Sequence, residues 1–257
     1  MLHKVKTAAP TGYMTHTLRA AIRETTGRSQ MLKYYYNTGP NPTKVTLFLE
    51  EAGLEYDPIP LETRKGEQFT PEYLAINPNA KAPSIVDGDV TVFDSSAILL
   101  YLAEKTGRFL PPDTAADRGQ LLSWLMFVAS GVGPYAGQAV HFQRYAPEEV
   151  PYAIKRYRFE AQRHFDILDG RLGDNCYVLG DRYTIVDMAV WGWAHLMTAV
   201  LGDEAWDGLP HLKRLTDEIS NRPAGIKALE LKNRHKFKME MDEEATRYMF
   251  PSIGGEA

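Results

Sequence analysis

From Leu32 to Phe93 the apolar positions fall in short runs separated by turn residues, and from about Arg118 onward they recur at helical spacing. Leu32-Lys33-Tyr34-Tyr35-Tyr36 is aromatic and β-prone and predicts a strand, after which Asn37 to Pro42 reads as loop punctuation. Within Thr43 to Gly53, residues Val45, Phe48, Leu49 and Ala52 stand at i, i+3, i+4 and i+7, which predicts a short amphipathic helix stopping at glycine. Tyr56 to Leu61 predicts a second strand and Pro71 to Ile76 a helical turn. Pro83 to Val86 predicts a third strand, with Asp89 to Phe93 as its hairpin partner across Asp87-Gly88. Asp94 to Gly107 reads as a helix capped at both ends. The order β-α-β-α-β-β-α predicts a small sheet flanked by helices.

After Phe109-Leu110-Pro111-Pro112-Asp113 the strand signals nearly vanish. Arg118 to Ala139, Pro151 to Leu172, Ile185 to Val200, Pro210 to Asn221 and Ala224 to Lys232 all carry helix-spaced apolar residues, so the second part is expected to be all-α. Thr184 three residues ahead of Asp187 forms a capping-box pattern. The predicted division is an N-terminal extension over residues 1–30, an α/β domain over 31–109, a helical domain over 115–232 and a charged tail over 233–257. The extension holds five basic residues and one acid, Glu24, a bias shared with organelle targeting segments. It is expected to pack on the body as a structural element, with targeting as the alternative.

Composition narrows the partners. The chain has 257 residues and a formal net charge of -4, so no global attraction to nucleic acid or membrane is expected, and a small molecule is the default partner. No apolar run approaches the roughly 20 residues of a membrane helix. Cys176 is the only cysteine, which removes internal disulfides, thiolate zinc clusters and CxxC redox pairs from consideration and suits a reducing, cytoplasmic setting. No metal-ligand spacing, Ser-His-Asp arrangement or phosphate-cradling loop is present, and no metal is expected.

Three spots carry candidate chemistry. Asn41, between two prolines, presents an amide where a helix N-terminus favours an anion. Lys81-Ala82-Pro83 precedes a strand, where a cis proline would turn the Ala82 backbone outward to pair with an extended peptide ligand. Asp94-Ser95 opens the next helix, where the serine and first N–H groups suit a carboxylate and the aspartate an ammonium. Each has a plain structural alternative: a turn former, a strand-starting proline, an ordinary helix cap.

Together, Pro40-Asn41 with Lys44 to Glu51, Asn77 to Pro83, and Asp94-Ser95 with Ile98 to Leu102 resemble the glutathione transferase superfamily. The likeness runs from about Leu32 to Lys232. Pro40-Asn41, Pro151-Tyr152-Ala153-Ile154 and Arg156-Tyr157 are similar to the bacterial Nu class and, less closely, to the fungal nitrogen-regulating prion proteins. The resemblance implies a thioredoxin-like α/β domain followed by an all-α domain, a homodimer, and glutathione as cofactor, up to two molecules per subunit. It implies that the glutathione thiolate faces Asn41 and reduces disulfides or cleaves glutathione thioethers, with a non-catalytic glutathione-binding regulator as the alternative. By the same resemblance, Ala82 and Pro83 hold the cysteinyl unit, Asp94 and Ser95 the γ-glutamyl end, and Gln68 and Lys81 the glycyl side or flank. Arg156 would reach across the domain gap to a second glutathione or to the dimer-related ligand, unless it is simply a solvated helix residue. Many Nu-class relatives have a threonine two residues before the asparagine. Here that position is Gly39, so Thr38 is a secondary candidate at the sulfur. Tyr152 and Tyr157 are candidates to donate to a developing anion, and Tyr135, Phe142, Trp193 and His141 to line a second-substrate pocket.

Overall fold

The computed structural model describes residues 31–254; the N-terminal extension predicted for residues 1–30 lies outside them. The first part contains strands β1 (Leu32–Tyr36), β2 (Tyr56–Pro60), β3 (Ser84–Asp87) and β4 (Val90–Phe93) in one sheet ordered β2-β1-β3-β4. β1 runs parallel to β2 and antiparallel to β3, which pairs antiparallel with β4. The sheet is therefore mixed, with helices α1 (Pro40–Ala52), α2 (Pro71–Leu74) and α3 (Ser95–Thr106) around it. Short 3₁₀ turns at Thr63–Lys65 and Glu67–Phe69, which periodicity did not reveal, link β2 to α2.

α1 begins three residues earlier than predicted. Pro40 and Pro42 lie inside its first turn, where a missing N–H breaks no helical hydrogen bond, so the stretch read as loop is helix. The hairpin turn is Gly88-Asp89, one residue later than predicted, because Asp87 still pairs with Val90. α3 is capped by Asp94, whose Oδ1 accepts the Ser96 and Ala97 N–H groups at 2.9 and 3.1 Å.

The second part is helical: α4 (Ala115–Phe127), α5 (Gly133–Arg144), α6 (Pro151–Gly173), α7 (Ile185–Ala194), α8 (Met197–Val200), α9 (Pro210–Asn221) and α10 (Pro223–Glu230). One π turn, Val128–Val132, joins α4 to α5 in place of the unbroken helix predicted there, while the stretch after Ala194 breaks before α8. Apolar side chains of β1, α1, α3 and α7 meet in one core, with Phe48, Ile98, Met188 and Trp191 fully buried. α7 packs along α1, which places the mouth of α1 between the sheet domain and the helices.

The stretch expected to be a tail does not stand apart from the body. Residues 235–250, including α11 (Glu243–Met249), run back across the 3₁₀ turn at Thr63–Lys65. Arg64 Nη1 donates to the Lys238 carbonyl at 2.8 Å, and the Lys238 N–H donates to Glu62 at 3.1 Å. Gly66, at φ +84°, lies under the Tyr248 ring, which a Cβ there would meet at 2.6 Å. Phe250 then docks between His141 and Tyr145 of α5, with ring centroids 4.8 and 5.2 Å away. The final short helix is α12 (Pro251–Gly254).

Candidate functional site

The N-terminus of α1 is held from below and left open above. Tyr34, fully buried in β1, donates its hydroxyl to the Pro42 carbonyl at 2.5 Å and meets Thr46 Oγ1 at 2.9 Å. Gly39 caps the helix without a side chain. Since Pro40 and Pro42 have no N–H, and the Thr43 N–H already reaches the Gly39 carbonyl at 3.3 Å, Asn41 supplies the one backbone N–H of this turn with no partner among the described residues. The sequence suggested several free donors; the two prolines reduce them to one. This concentrates anion-binding capacity on Asn41, backbone and side chain.

The Asn41 carboxamide has a defined orientation. Its Oδ1 accepts from Lys44 Nζ at 2.8 Å and lies 3.4 Å from the Ser95 hydroxyl. Its Nδ2 has no protein partner among the described residues. A groove of about 290 Å³ brings Asn41 together with Lys81, Ala82, Pro83, Asp94 and Ser95. The Ala82-Pro83 bond is cis. Tyr73 and Asn77 fix the Lys81 carbonyl, donating to it at 2.7 and 2.6 Å, so the loop that carries Ala82 is anchored one residue earlier.

A cavity of about 150 Å³ continues from Asn41 past Lys81 and Ala82 to Gln68. Gln68 is buried; its Nε2 donates to the Tyr248 carbonyl at 3.2 Å and its Oε1 has no partner. A buried orphan acceptor costs free energy unless a ligand or water satisfies it. A third cavity, about 310 Å³, opens on the other side of Asn37, Gly39 and Thr63 toward the helices, where Gly137, Val140, Trp193 and Val200 give it an apolar wall. Arg64, Arg144 and Lys238 lie along it with Glu62, the Lys238 ammonium being paired with Asp242 and Glu244 at 2.8 and 2.9 Å.

Of the residues selected from sequence, Asn41, Gln68, Lys81, Ala82, Pro83, Asp94 and Ser95 border this connected space. Thr38 borders the larger cavity and not the two beside Asn41 and Ala82. Tyr152, Tyr157 and Arg156 are not brought to it. Tyr152 is 78 % exposed, Tyr157 stacks on Phe142 with centroids 5.3 Å apart, and Arg156 donates to Glu160 at 2.7 Å along the face of α6. Trp193 does line the larger cavity, whereas Tyr135, Phe142 and His141 do not.

Sequence reasoning missed Asn37, Thr63, Arg144 and Met249. Asn37 Oδ1 accepts the Gly39 N–H at 2.9 Å, and a Cβ on residue 39 would stand 3.0 Å from that oxygen. Its carboxamide therefore fills the space a side chain at 39 would take. Asn-x-Gly ahead of the helix is a local signal that went unused. Met249, by contrast, reaches both cavities only because α11 folds back. Among the described residues no group of three His, Cys, Asp or Glu side chains could hold a metal ion, and no helix is long and apolar enough to cross a membrane.

With this geometry in view, the relatives are informative. Residues 30–104 match the family model for the glutathione S-transferase N-terminal domain and residues 151–218 that for the C-terminal domain. The chain is 43% identical over 206 residues to the disulfide-bond oxidoreductase YfcG of Escherichia coli (strain K12), covering 77% of this chain and 94% of that protein. It is 40% identical over 211 residues to the disulfide-bond oxidoreductase YghU of the same organism, covering 75% and 72%. A glutathione transferase family member from Pseudomonas fluorescens pf-5, crystallised with two glutathione bound, superposes with a TM-score of 0.74 at 35% identity, covering 78% of this chain and 93% of that one. On its sequence, its mixed four-stranded sheet and its helical second part, the chain belongs to the glutathione S-transferase family.

Proposed function

We propose that this protein is a glutathione-dependent oxidoreductase in which Asn41 stabilises the thiolate of bound glutathione. The single observation that carries the reading is the groove that joins Asn41, Ala82, Asp94 and Ser95 in one continuous surface. Its donors and acceptors fit an extended peptide with a zwitterionic end. The Ser95 hydroxyl and N–H suit the γ-glutamyl carboxylate, Asp94 its ammonium, and the Ala82 backbone the cysteinyl amide. The orphan Gln68 Oε1 suits an N–H donor further along, and Lys81 a flanking carboxylate.

Bound glutathione supplies the sulfur nucleophile, and two equivalents reduce one disulfide to two thiols with release of oxidised glutathione. The chain's part is electrostatic. A thiol ordinarily ionises near pH ~8.5, and each unit of lowering corresponds to about 1.4 kcal/mol of preference for the thiolate. The Asn41 N–H, its Nδ2 and the end of α1 all direct positive charge to one point, and thereby hold the proton off the sulfur at neutral pH. Asn37 and Thr38 lie beside that point; the Asn37 amide is held by the Gly39 N–H and the Thr63 hydroxyl at 2.9 and 3.3 Å, and Thr38 borders the neighbouring cavity.

The 310 Å³ cavity receives the second substrate: its apolar wall suits an aromatic or aliphatic body, and Arg64 and Arg144 suit carboxylates at its ends. Disulfides and glutathione thioethers are both of this kind. The working unit is a homodimer, supported by large apolar side chains left exposed at Phe93, Leu122 and Met126. A single cysteine suits the reducing cytoplasm.

Assay of glutathione-dependent reduction of a small disulfide, alongside calorimetric titration with glutathione, tests the reading. Turnover above background with saturable binding is expected. Binding with only the background rate would instead establish a non-catalytic glutathione-binding regulator, and no binding at millimolar glutathione would remove both.

A further inference from the structure

Lys44 lies on the first turns of α1 and is 2 % exposed. Among the described residues no carboxylate forms an ion pair with it; its one hydrogen bond goes to Asn41 Oδ1, at 2.8 Å. Room for its stem is made by Gly192 of α7, where a Cβ would stand 2.2 Å from Lys44 Cγ and 3.0 Å from the Pro40 carbonyl. An ammonium sealed under a glycine with a single neutral acceptor is a poor structural choice, because an apolar side chain of the same length would fill the space without desolvating a charge. What the lysine does that such a residue could not is hold one edge of the Asn41 carboxamide.

We propose that Lys44 is a positioning residue for the thiolate chemistry: by anchoring Asn41 Oδ1 with its buried ammonium, it turns the Nδ2 edge of that carboxamide toward the groove and adds a positive charge behind it. The proposal rests on the reading of Asn41 given above and deepens it. Without the anchor, the carboxamide is free to turn over and offer its oxygen to the sulfur, a repulsive arrangement for a thiolate. The Ser95 hydroxyl, at 3.4 Å, is too far to set the orientation by itself.

The surroundings are otherwise short of charge. Lys44 and Asn41 border a further cavity of about 430 Å³, whose other ionisable groups are Lys81, from the loop before β3, and Asp94, at the start of α3. α7 presents Gly192 and Trp193, and the π turn presents Val128 and Ala129. Burial draws the Lys44 pKa down to about 7, and Asp94 acts against that.

The experiment compares the full chain with Lys44→Met, Asn41→Ala and the double variant. It measures kcat/KM for disulfide reduction, glutathione affinity by calorimetry, the pKa of the bound thiol by thiolate absorbance, and Tm. Lys44→Met is expected to lower kcat/KM by about tenfold and to raise the bound-thiol pKa, with affinity changed by less than about threefold and Tm equal or higher. The double variant is expected to be no worse than Asn41→Ala alone. Additive losses, or an unshifted thiol pKa in Lys44→Met, overturn the proposal. So does a loss of activity that merely tracks a fall in Tm. An impaired Asn41→Ala beside an unimpaired Lys44→Met overturns the positioning role alone, while unimpaired Asn41→Ala overturns the reading of Asn41 and this proposal with it. If Lys44→Met does not fold, Lys44→Gln reads out in the same way: a raised bound-thiol pKa supports the proposal and an unchanged one overturns it.

Discussion

Two helices of this molecule begin in opposite ways. α7 starts with every donor answered: the Asp187 carboxylate accepts from the Thr184 N–H at 2.8 Å, the Thr184 hydroxyl at 3.1 Å and the Val178 N–H at 2.8 Å, while Thr184 Oγ1 accepts from Val186. α1 starts on a glycine, spends two of its first three positions on proline and leaves Asn41 unanswered. Both starts are made from short polar residues next to an apolar run. One is sealed, with Thr184 and Asp187 fully buried; the other opens on four adjoining cavities. A saturated helix start holds the fold together, and an unsaturated one is available to bind.

The sharpest way to break that contrast is to empty the sealed cap. Asp187→Ala strands the Val178 and Thr184 N–H groups in the core and is expected to cost about 2–5 kcal/mol of stability in urea unfolding, with kcat/KM per folded molecule unchanged. Asn41→Ala should do the reverse. Stability is expected to fall by only about 1–2 kcal/mol, the cost of leaving Lys44 Nζ without its acceptor, and kcat/KM for glutathione-dependent disulfide reduction to fall by at least about tenfold, roughly 1.4 kcal/mol of transition-state stabilisation. If either variant shows the other's phenotype, the two helix starts do not differ in purpose.

Charge sharpens the same comparison. Burial lifts Asp187 to about 6 in spite of its hydrogen bonds, and burial lowers Lys44 to about 7. For Lys44 the folded pKa lies below the unfolded value, so between about pH 7 and 10.5 the unfolded chain binds the extra proton and stability rises with pH. Measured between pH 7 and 9, unfolding free energy is expected to increase by at most about 1.4 kcal/mol per pH unit in the parent, and Lys44→Met to flatten that slope. The smallest effect concerns the C-terminal segment. Gly66→Ala, at a left-handed φ and under Tyr248, is expected to cost about 1 kcal/mol and to raise KM for glutathione by roughly threefold, since Gln68 and Met249 lose their backing; circular dichroism melts and initial rates check both.

Local signals made much of this legible in the sequence. Glycine stops, the Asp94 cap, the Thr184–Asp187 box and the β-prone runs each depend on residues a few positions apart, and each stands within a residue of where it was expected. The start of α1 was misplaced because Pro-Asn-Pro punctuates loops as readily as it opens helices. The π turn gave no periodic sign; it depends on Gly131, where a Cβ would meet His164 Nε2 at 2.5 Å. The C-terminal segment was the least legible part, since Phe237, Met249 and Phe250 look like scattered apolar residues in a charged stretch. Their role appears only through contacts such as Gln68 with Tyr248, which span 180 residues. Likewise Arg156 and Tyr152 carry a recognisable pattern on α6 but do not line the cavities, and no spacing in the sequence says which way that helix is turned.

The central claim is that the open start of α1 makes a guest thiol acidic. Ultraviolet titration of thiolate absorbance for glutathione bound to the full chain measures this directly, with Asn41→Ala as the control. The account predicts a bound thiol ionising about one to two units below the free value near ~8.5, and a return toward that value in the variant. A bound thiol that titrates like free glutathione in the parent protein would contradict it.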